Sequence, residues 1–84
     1  MPTISTFYGI AVYFNQKEKE HNPPHIHARI GEYRAIFLLS NGELYEGKFP
    51  PRGTAMVAEF ILENKQELEE MWETGNYYQL PPLK

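Results

Sequence analysis

His25-Ile26-His27-Ala28-Arg29-Ile30-Gly31-Glu32-Tyr33-Arg34-Ala35-Ile36-Phe37-Leu38 is the stretch whose reading decides the fold. From His25 to Ile30 the side chains alternate, with Ile26, Ala28 and Ile30 on one side and His25, His27 and Arg29 on the other. That period of two is a strand's. Gly31-Glu32 then reads as a two-residue turn with glycine first, the type II′ kind, and a second strand runs from Tyr33 to Leu39. A two-residue turn fixes register. Ile30 falls opposite Tyr33, Ala28 opposite Ala35 and Ile26 opposite Phe37, which makes one continuous apolar face and hence the core. The second strand is apolar on both faces past Arg34, as a strand with neighbours on either side would be.

The same register places Arg29 opposite Arg34, His27 opposite Ile36 and His25 opposite Leu38 on the reverse face. Like charges directly opposed on a sheet cost a few tenths of a kcal/mol to about 1 kcal/mol, so an anion is expected between the two arginines. Glu43, Glu46 or a bound phosphate are the candidates. Immediately upstream lies His21-Asn22-Pro23-Pro24, so all three histidines of the chain fall within seven residues. The two prolines hold φ near −65° and donate no backbone hydrogen bond, which brings the chain into the strand along a stiff path.

Outward from this hairpin, Thr3 to Phe14 is rich in β-branched and aromatic residues, and from Tyr8 to Phe14 the alternation of Ile10, Val12 and Phe14 against Ala11 and Tyr13 reads as the first strand. Gln16 to Glu20 is a charged loop. Downstream, Asn41-Gly42 signals a hairpin into a fourth strand, Leu44 to Lys48. A two-residue turn there sends Tyr45 to the histidine face, and a three-residue loop with a bulge sends Leu44; the first is preferred. It leaves Glu46 and Lys48 on the core face, so a strand edge or a bulge has to relieve them. Phe49-Pro50-Pro51 stops the sheet. A helix is expected from Thr54 to Glu63 on the stripe Val57, Phe60, Ile61, and a second through Leu68, Met71 and Trp72 to Thr74. Asn64 with Glu67 resembles a capping box at the start of the second helix, and Gly75 is its stop; one helix kinked at Asn64 is the alternative.

The expected fold is therefore α+β: a small, mostly antiparallel sheet of about four strands, with one or two C-terminal helices packed on one face. Residues 1–76 form the single domain and 77–84 a C-terminal tail, aromatic and proline-rich but without period, that packs on the domain or on a neighbour.

Composition narrows the function. The 84-residue chain has no cysteine, so thiolate metal sites and disulfides are excluded, and any metal needs His or carboxylate ligands. A formal charge of −3 argues against broad capture of nucleic acid. The charge is uneven, with six acidic residues from Glu59 onward against Lys65 and Lys84, and Arg29, Arg34, Lys48 and Arg52 in the middle. Residues 1–14 show neither a bilayer-spanning run nor a signal-peptide pattern, so a soluble protein of the cytoplasm, without membrane association, is expected.

The start Met-Pro-Thr-Ile-Ser, the motif His21-Asn22-Pro23-Pro24-His25-Ile26-His27, Gly42, Gly47 ahead of Lys48-Phe49-Pro50, and a helix ending near Trp72 together resemble the small bacterial domain-of-unknown-function family 4160. The resemblance runs from residue 1 to about Trp72, and its His-x-Pro-Pro-His-x-His motif is specific. It implies a small prokaryotic protein, often encoded beside another small protein in an arrangement like a toxin-antitoxin pair.

Three functions compete for the histidine face. The preferred one is a protein-binding component of such a two-gene module, with Tyr45 at the interface, a small protein encoded nearby as partner, and self-association as a homo-oligomer open. The second is a small endoribonuclease. In it His25 and His27 take and give protons while Arg29 and Arg34 neutralise the phosphate, since imidazole titrates near working pH and guanidinium grips phosphate bidentately. The third is a divalent-metal site on His25 and His27, completed by His21 or by a carboxylate such as Glu32 or Glu46. The first two need no cofactor. Whether the chain is an enzyme is left open by the residues, and a purely structural role, bracing the Pro23-Pro24 bend, competes with all three.

Overall fold

The computed structural model describes residues 3–15 and 23–83. Strands β1 (Thr3–Phe7), β2 (Ile10–Tyr13), β3 (His25–Ile30), β4 (Tyr33–Leu38) and β5 (Leu44–Gly47) precede helices α1 (Pro51–Glu63) and α2 (Lys65–Thr74). The strands form one antiparallel meander in the order β1-β2-β3-β4-β5. No described helix is long and apolar enough to cross a membrane.

The β3–β4 hairpin has the register its turn dictates: Ile26↔Phe37, Ala28↔Ala35, Arg29↔Arg34 and Ile30↔Tyr33 are partners. Gly31 takes φ +55, which the first position of a II′ turn requires. Ile26, Ala28, Ala35 and Phe37 join a single core with Val57, Phe60 and Ile61 of α1 and Leu68, Met71 and Trp72 of α2. Each large side chain buried there is worth about 1.5–3 kcal/mol of transfer free energy. Both helices thus cover one sheet face, and α+β is the class.

The sheet has five strands, one more than the sequence pattern suggests, because Thr3–Phe14 is itself a hairpin. Tyr8 and Gly9 are its two turn residues, at φ 50 and 80, with Phe7 directly opposite Ile10. Positive φ at both central positions is the type I′ pattern, normally an Asn-Gly or Asp-Gly signature. Tyrosine rarely adopts it, so the pattern gave no warning. Ile10, Val12 and Phe14 are buried as their alternation requires.

At the other edge the expected two-residue turn at Asn41-Gly42 is replaced by a wider loop. Gly42 N–H donates to Leu38 O and Leu38 N–H to Glu43 O, both at 2.9 Å. Leu44 lies opposite Phe37 and Glu46 opposite Ile36, so Tyr45 is the extra, bulged residue. The bulge moves Glu46 off the core face and resolves the conflict that a regular strand would have created. Gly42 sits where a Cβ would lie 3.1 Å from the Ala58 backbone, so the loop rests directly on α1.

Helix α1 begins at Pro51 rather than Thr54. Proline at the first helical position sacrifices an N–H that has no intrahelical partner anyway. Asn64 breaks the helical run at φ −119, ψ 24, so there are two helices. No capping box forms: the Asn64 side chain donates backward to Phe60 O at 2.9 Å, satisfying the end of α1 instead of the start of α2. Gly75 closes α2 in the left-handed conformation, φ 75. The segment after Asn76 packs on the domain. Tyr77 stacks on Phe14 at 5.1 Å, Leu80 N–H donates to Ile4 O at 2.8 Å, and Leu83 is buried.

Candidate functional site

With both helices on one side, the reverse face of the sheet is left open, and the period of two decides what it presents. Tyr13 pairs with His27, His27 with Ile36 and Ile36 with Glu46, so these four residues form a row across β2 to β5. Two residues along the strands lies a second row, Ala11, Arg29 and Arg34. A groove of about 330 Å³ is lined by Tyr13, Asn15, His27, Arg34, Ile36 and Glu46, among others. Beside it a depression of about 180 Å³ is lined by Thr3, Tyr13, Arg29 and Arg34.

The two strand histidines differ in environment. His25 is buried at 6% exposure, and its Nδ1–H donates to Pro23 O at 2.9 Å. Its ring lies 5.1 Å from Trp72 and edge-on to His27 at 5.3 Å. The braced bend therefore reaches the core through His25, which pins the chain as it leaves the prolines. His27 is half-buried and stacks on Tyr13 with centroids 5.3 Å apart and planes at 16°. It lines the open groove, and His25 does not. The Nε2 atoms of both rings are buried.

Arg29 and Arg34 are exposed and directly opposed. The carboxylate expected between them is absent: among the described residues neither Glu43 nor Glu46 forms a salt bridge with either arginine. Glu46 does share the groove with Arg34. Tyr45 is 55% exposed on the edge bulge and is not among the groove-lining residues. His21 lies outside the described residues, and among those described no group of three His, Asp or Glu side chains is gathered as a metal site.

The structure adds Thr3, Tyr13, Asn15 and Ile36 to the residues singled out by sequence. Ile36 was legible as the partner of His27. Tyr13 was not, because the β2–β3 register depends on a long connection and no tight turn sets it.

The pair, without a neutralising carboxylate among the described residues, carries a thermodynamic signature. Arg34→Gln keeps most of the aliphatic stem and removes one of two opposed charges, so it is expected to raise stability by a few tenths of a kcal/mol to about 1 kcal/mol at low ionic strength. Urea unfolding at low and high salt checks this, the gain shrinking as salt screens the repulsion.

A comparison with curated proteins gives no match, and neither does one with solved structures. The sequence model of one family, described as a domain of unknown function (DUF4160), matches residues 9–73. Because that match begins at the turn before β2 and ends one residue short of the end of α2, taking in the strand that carries His25 and His27 and most of the helical layer, the chain belongs to the DUF4160 family.

Proposed function

We propose that the protein is a binding module that docks a partner protein on its open sheet face, as one component of a two-protein bacterial module. The observation that carries this reading is the arginine pair, exposed, directly opposed and without a carboxylate among the described residues. Such a pair is unfavourable in the isolated domain and is relieved by a bound anion. Around it stand half-buried Tyr13, His27 and Ile36, a partly apolar surface of the kind that partner sites present. The bacterial two-protein setting rests on the resemblance of the motif-bearing sequence to its family.

Catalysis is the weaker reading on the same geometry. Transfer of a proton at both ends of a phosphodiester needs two accessible groups. His25 has one nitrogen committed to Pro23 O and its ring against Trp72, which leaves His27 alone on the groove. The metal reading has support only from the spacing of the histidines.

Co-expression of the tagged full chain with the product of the adjacent reading frame tests the proposal. Capture of that protein is expected, and Tyr13→Ala with His27→Ala is expected to abolish it while the circular dichroism spectrum is unchanged. Failure of capture, or cleavage of RNA by the purified wild-type protein that His27→Ala removes, overturns it.

A further inference from the structure

We infer that the open sheet face receives an extended, carboxylate-bearing segment of the partner, one acidic side chain seated between Arg29 and Arg34 and an apolar side chain two positions away over Tyr13, His27 and Ile36. The inference rests on the partner-binding reading and names the chemistry of the partner. Two features of the face converge on it. The depression lined by Thr3, Tyr13, Arg29 and Arg34, about 180 Å³, suits a single oxyanion shared by two guanidinium groups. The second row, in the adjoining groove of about 330 Å³, lies two residues along β3 and β4, roughly 6.6 Å at ~3.3 Å per residue. An extended peptide repeats its same-side residues at that same interval, so an acid at one position and an apolar residue two further on match both rows at once.

Charge selects a lone carboxylate over a polyanion. The chain carries −3 overall, and α2 exposes Glu67, Glu69, Glu70 and Glu73. Those carboxylates turn an acidic segment away from the helical layer and leave the arginine row as its landing point. A nucleic-acid strand running across the face carries a phosphate at every nucleotide and meets Glu46 at the end of the groove. A segment with one acid and one apolar side chain does not.

The test titrates the ¹⁵N-labelled full chain with three probes and follows its amide shifts. The probes are the capped peptide Gly-Ser-Glu-Ser-Leu-Ser-Gly, the same peptide with Gln for Glu, and an oligouridylate of seven nucleotides. Shifts in β3 and β4 with at least tenfold tighter binding of the Glu peptide than of the Gln peptide are expected, the difference vanishing in the Arg29→Gln, Arg34→Gln double variant. Equal binding of the two peptides, no binding of either, tighter binding of the oligouridylate, or occupation of the face by a second copy of the chain overturns the inference. Capture of the neighbouring gene product that persists undiminished in the double variant also overturns it, while leaving the partner-binding reading intact. Loss of capture in the double variant, with the fold kept, supports both.

Discussion

Gly47→Ala is expected to lower the stability of the domain by about 3 kcal/mol or more, a drop in Tm of roughly 12–25 °C at this chain length. Two costs add. Gly47 has φ +96, a conformation that a residue with a Cβ adopts only at a cost of about 1–2 kcal/mol. A Cβ there would also meet Arg34 O at 2.5 Å and Ala35 Cα at 2.9 Å. Both are backbone atoms of the neighbouring strand and cannot swing aside as a side chain would. The strain can be relieved only by lifting β5 away from β4, which breaks the Ala35↔Gly47 pairing and the Lys48 N–H to Arg34 O hydrogen bond. Gly31→Ala separates the two costs: Gly31 has φ +55 with nothing within 4 Å of its Cβ position. It should lose only the conformational part, about 1–2 kcal/mol. Urea unfolding of both variants measures the difference. Near-equal losses at the two positions would show that the approach of β5 to β4 is not what requires glycine at position 47.

The same contact shows why one half of the sheet was legible in the sequence and the other was not. Between β3 and β4 a glycine-first turn fixes the register, and a period of two carries it through all six pairs from Ile30↔Tyr33 to His25↔Leu38. Between β4 and β5 the pairing is decided by a bulge at Tyr45 and by contact of Gly42 with Ala58, a residue of α1. Tertiary contacts of that kind leave no mark in local spacing. The turn at Tyr8-Gly9 was hidden for a different reason, since a bulky residue holds a conformation for which propensity favours Asn or Asp. At Asn64 the sequence offered a cap for the helix that follows, and the side chain instead serves the helix that precedes it.

The candidate site divides along the same line. The opposition of Arg29 to Arg34 and of His27 to Ile36 follows from one hairpin and could be written down in advance. What surrounds them could not. Tyr13 reaches His27 through a strand separated from β3 by the long connection, and Thr3 enters the arginine depression because β1 is a separate strand that pairs Thr3 with Tyr13. The divergence of His25 from His27 is also a tertiary fact. Alternation assigns them one face, and Trp72 of α2, reaching the start of β3, draws His25 into the buried layer.

Phe37→Ala is expected to cost about 3–5 kcal/mol, a large share of the stability of a domain this size, for which roughly 0.05–0.15 kcal/mol per residue is typical. Phe37 is fully buried, opposite Ile26 on β3 and Leu44 on β5, and meets the Phe49 ring edge-on at 5.5 Å. Removing the ring leaves a cavity under the helices that close packing cannot fill without moving α1 or β5. Phe37→Leu retains most of the volume and should lose only about 1–1.5 kcal/mol. The neighbouring residue tests the division of labour between the two faces. Ile36 projects to the open side, half-buried in the groove with His27, so Ile36→Thr keeps a β-branched side chain and should change stability by about 1 kcal/mol or less. Its expected effect is on capture of the partner, which falls although the unfolding midpoint hardly moves. Adjacent residues on one strand would then differ in kind, one holding the sheet to its helices and the other belonging to the surface that the sheet presents. If Ile36→Thr lost as much stability as Phe37→Ala, the open face would be part of the fold's own core, and a partner-docking role for it would have to be abandoned.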